Sequence, residues 1–260
     1  MKDIINKMRP HFITLLSSIA LGTEICRSSM LILMAEREGV PILEGLQMSM
    51  ILNQTAYFFP ILVCLPCTMK MHEERCSGQM VFQLLRVERA KYVSIKLIQA
   101  IRSGARVVLG AVGVYLCYAI VLCLRFGKKM EFFSGIIGGD ELHTNLYYMM
   151  IENGLGSVVF LINVIFLMLL AGFWNIFGVV ISNFVLNRRI AIVSPFLFKR
   201  ALEYIIPERL FFLNPAHLRM SGWVVELPLG GIGYSVCYIT IAFLLGWLII
   251  SIKLSYEAKR

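Results

Sequence analysis

Charged residues are scarce in this chain of 260 residues, where they make up 16% against 58% hydrophobic residues. A soluble domain carries about 25% charged residues, so a water-soluble globule of this composition would expose far too much apolar surface. The same shortage excludes an intrinsically disordered chain. Acidic residues are scarcer than basic ones, 16 against 25, which leaves a formal net charge of +9. Such an excess is typical of nucleic-acid-binding proteins unless the basic residues serve another purpose.

Cysteine is too sparse and too irregularly placed for a disulfide framework. The chain has seven cysteines, an odd number, and nearly all lie within apolar stretches. Cys64 and Cys67 form a CxxC pair, but no second pair and no neighbouring histidines complete a metal site. We therefore expect buried, inert thiols and no metal-binding residues.

The sequence also lacks a phosphate-binding loop of the GxxxxGK type. Gly127 and Lys128 come nearest to it, but Leu122 stands where the first glycine is required. We therefore expect that this chain does not hydrolyse ATP itself.

Long hydrophobic runs are abundant instead. A helix needs roughly 17 to 25 mostly apolar residues to cross a hydrocarbon layer about 30 Å thick. Six runs are candidates, at residues 12–34, 48–69, 107–124, 155–182, 190–206 and 232–252. They predict an all-α, polytopic membrane protein in which residues 1–260 form a single transmembrane domain. The first run is too long for a cleaved signal peptide, and the fifth is short and charged, so five spans are the alternative.

Basic residues mark one side of the membrane. The N-terminus, residues 70–106, the residues just before the fifth run and the C-terminus together hold 16 of the 25 basic residues and five acidic ones. Lys and Arg resist translocation, so these segments and both termini are predicted to be cytoplasmic. The charge excess therefore indicates orientation, and no nucleic-acid partner is expected. Omitting the fifth span would place the basic C-terminus outside, which favours six spans.

Residues 70–106 form a cytoplasmic segment that is too polar to cross a membrane. Met80, Leu84 and Val87 recur there at spacings of four and three, with polar residues between them, as in an amphipathic helix. Such a helix can lie on anionic headgroups or dock on a partner protein.

The same segment resembles the cytoplasmic stretch of type-2 (ABC-2-like) ATP-binding-cassette transporter permeases. In that family an acidic and basic cluster precedes a glycine, a leucine pair, a basic residue and a Lys-Leu pair that leads into the third span. The corresponding residues here are Glu73, Glu74, Arg75, Cys76, Ser77, Gly78, Leu84, Leu85, Arg89, Lys96 and Leu97. The likeness extends in layout over the whole chain, from a basic amphipathic start through six spans.

The resemblance implies a permease subunit whose amphipathic segment is a coupling helix, resting on a separate ATPase subunit that binds ATP and Mg²⁺. The residues expected to carry the coupling are Glu74, Gly78, Leu84, Leu85, Arg89 and Lys96. This chain would itself hold no cofactor and no catalytic residue. It would pair with a second permease subunit, identical or different, in the lipid bilayer of the cell membrane, which in a bacterium is the cytoplasmic membrane. Export of a hydrophobic or amphipathic substrate is the commonest activity in the family.

Two groups of charged residues lie inside predicted spans. Glu24 and Arg27 are three residues apart in the first span, hence on one helical face. Lys199, Arg200 and Glu203 lie together in the fifth. A charge at the centre of a bilayer costs roughly 2.5 to 3.5 kcal/mol, so both groups are expected to form ion pairs or to line a translocation path. Snorkelling of the second group toward headgroups is a further alternative.

Residues 207–231 alternate apolar groups with Pro and Gly and are too broken to span the membrane. They resemble the short re-entrant helices that close the outer end of type-2 permeases, and we expect them to pack against the partner permease subunit.

Two other functions are alternatives to the permease. A secondary transporter or channel would need no ATPase, but the inverted repeat and paired broken helices that would favour it are not evident in the sequence. An intramembrane enzyme is less favoured, because the four histidines lie in loops or at span ends, without a clear nucleophile to serve.

Overall fold

A computed structural model describes residues 2–35, 39–51, 55–131, 150, 153–185, 187–205 and 230–257. The described residues are mostly helical, which confirms the predicted helical class. In chain order the elements are α1 (Lys2–Ala35), β1 (Gly39–Pro41), α2 (Ile42–Ile51), α3 (Thr55–Cys76), α4 (Gln79–Arg86), α5 (Arg89–Phe126), β2 (Lys129–Glu131), α6 (Gly156–Phe184), α7 (Arg188–Ile205) and α8 (Gly230–Glu257).

Three of the described helices are long and apolar enough to cross a membrane: α5, α6 and the part of α8 from Val236 to Tyr256. They coincide with the predicted third, fourth and sixth spans. The chain is therefore a membrane protein by the length and composition of its helices. The first and fifth predicted spans are also helical and fall in α1 and α7, where charged residues lower the hydropathy.

The predicted second span, residues 48–69, is divided in the structure between two helices. The short helix α2 ends at Ile51, and α3 begins at Thr55 and continues beyond the predicted span to Cys76. In α2, residues 42–46 and Ser49 are buried, and the Tyr115 hydroxyl of α5 donates a 2.7 Å hydrogen bond to the carbonyl of Ile42. The sequence predicted one span here because a short helix buried inside a protein is as apolar as a membrane-spanning helix, and hydropathy does not distinguish the two.

Helices α1, α3 and α5 alternate in direction. His11 near the start of α1, Lys70 near the end of α3 and Lys96 near the start of α5 line one cavity, so these three ends lie together. Helix α4 connects α3 to α5 at this position, which we call the α4 end of the molecule. Helix α5 has 38 residues and no proline, and it extends about 57 Å away from the α4 end.

Helices α6, α7 and α8 continue the alternation. At the α4 end Arg75 donates a 3.3 Å hydrogen bond to the carbonyl of Ser182, near the end of α6. Arg188, the first residue of α7, lies 3.4 Å from the sulfur of Met69 at the same end. Leu254, in the last turn of α8, belongs to the buried cluster that surrounds α4. Helices α6 and α8 therefore end at the α4 end, and α7 begins there.

A small parallel sheet lies at the opposite end. Strand β1 follows α1 and pairs with β2, which follows α5, with Gly39 opposite Lys129 and Pro41 opposite Glu131. Three-residue strands leave no period-2 pattern long enough to detect, and the sequence did not predict them. The pairing holds the C-terminal ends of α1 and α5 close together.

Helix α6 lies at the centre of the described bundle and packs against α3, α5, α7 and α8. Its Asn175 donates a 2.9 Å hydrogen bond to the carbonyl of Val63 in α3. Gly104 of α5 lies so close that a Cβ there would be 2.9 Å from the carbonyl carbon of Ala171. The absence of a side chain at Gly104 is thus what allows α5 and α6 to approach.

Two expectations need comment. The predicted re-entrant segment 207–231 lies outside the described residues, except that Gly230 and Gly231 begin α8. The expectation of buried thiols is right for Cys64 and Cys67, which are buried, and wrong for Cys76, Cys117 and Cys237, which are exposed; Cys26 and Cys123 are half-buried. Cys117 and Cys237 lie on the outer faces of apolar helices, and Cys76 lies at the end of α3, where its sulfur is 3.4 Å from Nε2 of His72.

Candidate functional site

The turn between α3 and α4 depends on one glycine. Gly78 has a φ of +72°, in the left-handed region that residues with a side chain rarely adopt. The amide of Ser77 donates to the carbonyl of Glu73 at 2.9 Å and closes α3, and the amide of Val81 donates to the Gly78 carbonyl at 3.0 Å and opens α4. Gly78 therefore sets the angle at which α4 leaves α3.

The inner face of α4 packs on the bundle. Met80 is buried, and Leu84 and Val87 are packed against the same cluster, which includes Leu97 of α5 and Leu254 of α8. Of the three apolar residues whose spacing predicted an amphipathic helix, Met80 and Leu84 lie in α4, whereas Val87 is the extended residue that ends it, so the predicted helix is shorter than its pattern. Helix α4 is thereby packed against the end of α3 and the start of α5.

The outer face of α4 is apolar and exposed. Val81, Phe82 and Leu85 have 60%, 65% and 78% of their surfaces accessible. Arg86 and Arg89 are exposed close by along the chain. Burying apolar surface is worth about 25 cal/mol per Å², so this face is suited to a partner protein or a lipid surface.

Glu74 and Lys96 form a buried ion pair behind α4. Their side chains are 8% and 7% exposed, and the Lys96 ammonium donates to a carboxylate oxygen of Glu74. The ammonium also lies 5.3 Å from the ring centroid of Tyr92. Tyr92 lies in the charged first part of α5, ahead of the apolar stretch, and its burial, reinforced by the Glu74 carboxylate, raises the pKa of its phenol, which keeps the hydroxyl protonated. The pair joins the end of α3 to the start of α5.

The six residues predicted to carry coupling are thus brought into one region but play different parts. Glu74 and Lys96 are inside it, Gly78 forms the turn, and Leu84 packs inward. Only Leu85 and Arg89 lie on the surface. The motif did not include Phe82, whose exposed ring is part of the outer face; its position three residues before Leu85 was the signal that could have found it.

The charged pair of α1 lies on the outside of the bundle. Arg27 and Glu24 are joined at 2.9 Å, and both side chains are partly or largely exposed to the exterior of the chain. Ion pairing, one of the two predicted roles, is therefore present.

The charged group of α7 is packed more deeply. Glu203 pairs with Lys199 at 3.0 Å and with Arg200 at 2.9 Å. Lys199 is buried, so it does not snorkel outward, and the Arg200 guanidinium stacks 3.9 Å from the ring centroid of Tyr57 in α3. The group ties α7 to the start of α3, at the end of the molecule opposite α4.

The α4 end presents a packed helix with one exposed apolar face. Across the described ranges, no group of three or more His, Cys, Asp or Glu side chains could hold a metal ion. What the site offers is an exposed apolar helix face, attached through a fixed turn and a buried ion pair to two long helices. No protein-family model, curated protein or solved structure matches this chain.

Proposed function

We propose that this chain is the permease subunit of an ATP-binding-cassette transporter and that α4 is its coupling helix. The observation that carries the proposal is the exposed apolar face Val81, Phe82 and Leu85 on a helix whose other face is packed into the bundle. Short helices of this kind, set between two spans, are what an ATPase subunit must grip to move a membrane domain.

A lever needs a stiff connection, and α5 provides one. The helix runs without proline from Arg89 to Phe126, so movement of α4 is carried along its length. The Glu74–Lys96 pair links the helix to α3, so the two flanking helices move together.

The alternation of α1, α3, α5, α6, α7 and α8 supports six spans with both termini on one side of the membrane. The α4 end carries the basic segment 70–106, which favours a cytoplasmic position for this end. The charged groups of α1 and α7 then lie in spans one and five, where each is paired.

ATP hydrolysis belongs in this proposal to a separate subunit, because the chain has no phosphate-binding loop. The assembly would contain two permease subunits in the cell membrane and two ATPase subunits that bind ATP and Mg²⁺. A hydrophobic or amphipathic substrate would be exported between the permease subunits.

Co-expression with a candidate ATP-binding-cassette ATPase subunit from the same genome tests the proposal. We expect the two to co-purify in detergent, and the variant Phe82→Ser/Leu85→Ser to lower the affinity at least tenfold, since central apolar contacts are each worth roughly 1 kcal/mol or more. The matched control is Phe126→Ser/Leu124→Ser, which removes the same two exposed residue types at the other end of α5.

Failure of the purified chain to bind the ATPase, with the chain folded and inserted, would contradict the proposal. The secondary transporter or channel would then be the better assignment. Equal loss of binding in the control variant would show that α4 is not the contact.

A further inference from the structure

A basic cavity of about 300 Å³ lies behind α4, between α1, α3 and α5. Its charged and histidine side chains are His11, Lys70, Glu74, Lys96, Arg102 and Arg106. Four cations face one carboxylate, which is already paired with Lys96. Among the side chains that the structure describes, Lys70, Arg102 and Arg106 form no ion pair. The cavity therefore has an excess of positive charge that an anion would neutralise.

The cavity is built on one face of α5. Lys96, Gln99, Ser103 and Arg106 recur at spacings of three and four and so point to the same side of the helix. Lys96 forms a buried wall and the neighbouring side chains supply N–H and O–H donors. Amide, hydroxyl and guanidinium donors converging with positive charge are the groups that bind a phosphate.

The depth of the cavity matches the headgroup layer of a membrane. His11 immediately precedes the first apolar run, Lys70 immediately follows the second, and Arg106 immediately precedes the third. Three predicted membrane boundaries therefore meet at this cavity. Lipid phosphates lie at this boundary, and basic pockets between spans on the cytoplasmic side bind anionic headgroups.

Apolar side chains continue from the cavity toward the membrane interior. Leu15 lies one turn beyond His11 and is 56% exposed, and Leu109 lies one turn beyond Arg106 and is 51% exposed. A free phosphate ion would make no use of them, whereas the acyl chains of a lipid would cover them.

We propose that this cavity binds the phosphate group of an anionic phospholipid, with its acyl chains along α1 and α5. The binding is independent of the ATPase partner proposed above. The site places the lipid against the Glu74–Lys96 pair, so that the lipid braces the junction of α3, α4 and α5.

The test is native mass spectrometry of the full chain in detergent with added phosphatidylglycerol, phosphatidylcholine or inorganic phosphate. We expect phosphatidylglycerol to be retained in preference to phosphatidylcholine. The variant Arg102→Gln/Arg106→Gln should weaken its binding about tenfold or more, because each basic residue near a phosphate contributes on the order of one kcal/mol, where 1.4 kcal/mol equals tenfold. Both arginines are exposed, so the variant is expected to fold.

Two controls sharpen the result. Arg125→Gln/Lys129→Gln removes the same charge at the far end of α5 and should bind as the unchanged chain does. Arg102→Lys/Arg106→Lys keeps the charge and should retain most of the binding. Equal retention of both lipids, or equal weakening in the far-end control, would overturn the site. Saturable binding of inorganic phosphate at the same arginines without preference for phosphatidylglycerol would overturn the lipid and assign the cavity to a free anion.

Discussion

The Glu74 carboxylate and the Lys96 ammonium are buried, although they lie at the basic α4 end of the molecule. Each would be costly to bury alone, and each is stabilised by the other and by the nearby ring of Tyr92. In this conformation both side chains are too deeply buried to contact a partner protein. Their role in coupling would be to hold α3 and α5 in register under α4.

A double-mutant cycle on this pair has a distinctive expected result. Glu74→Met and Lys96→Met, taken singly, should each lower the free energy of unfolding by roughly 3 to 5 kcal/mol, because the remaining charge is buried without a partner. Glu74→Met/Lys96→Met should recover most of that loss, because well-packed apolar residues need no pairing. Thermal unfolding in detergent, followed by loss of monodisperse protein, measures the three stabilities.

The stability and the activity of the double variant separate structure from function. Transport lost in a double variant of restored stability would show that the ion pair itself contributes to coupling. If the double variant loses as much stability as the two single variants together, the buried pairing is contradicted.

Helix α4 combines two apolar faces in eight residues, and the two serve different purposes. Met80 and Leu84 attach the helix to the bundle, while Phe82 and Leu85 remain available on the outside. The inner face is covered by the bundle, so only the outer face is free for a partner protein or for lipid, and the ATPase-binding experiment above distinguishes the two.

Helix α5 meets α6 through Gly104, and this contact gives a test at the scale of elements. Gly104→Ala should lower the free energy of unfolding by roughly 1 to 3 kcal/mol, because the new methyl group would lie 2.9 Å from the Ala171 carbonyl. Gly113→Ala on the same helix has no atom within 4 Å of its new methyl group and should stabilise the chain by up to about 1 kcal/mol. The measurement is the midpoint of thermal unfolding in detergent.

The expected result is that Gly104→Ala lowers the stability of the chain and Gly113→Ala raises it. If both stabilise the chain equally, α5 and α6 do not approach at Gly104 as the structure has them.

At the scale of the whole molecule, the two ends differ in character. The α4 end holds the basic cavity and the exposed apolar face of α4, and the other end holds the small parallel sheet and the cations of α7 that stack on Tyr57. Helix α5 connects the two ends directly. A force applied at α4 would therefore reach the far end through one continuous helix.

The proposed topology predicts which end each thiol-reactive reagent can reach. In a chain whose other cysteines are replaced by serine, Cys76 at the α4 end should react with a membrane-impermeant maleimide only in inside-out vesicles. Lys129→Cys, with Cys76 also replaced, should react only in right-side-out vesicles, since β2 lies at the opposite end. The readout is the mass shift of the labelled chain.

Labelling of both positions from the same side would contradict the assignment of opposite faces to the α4 end and β2. Labelling of each from the side opposite to that expected would reverse the orientation while leaving the arrangement of helices intact.

The sequence by itself determined the helical class, the main apolar helices and the inward stripe of α4. Each of these follows from composition or from a local period: long apolar runs require helices, and Met80 and Leu84, four residues apart, share one face of α4. Local patterns are sufficient where the cause is local.

Only the tertiary structure decided which charged residues are buried and which helices meet. Glu74 and Lys96 are 22 residues apart along the chain, and nothing in either neighbourhood distinguishes a buried ion pair from two solvated charges. The placement of α2 against α5 and the pairing of β1 with β2 also join residues that lie far apart along the chain. The basic cavity likewise exists only where α1, α3 and α5 converge. Packing brings together residues that are far apart in the sequence, and local periodic patterns do not indicate which of them will meet.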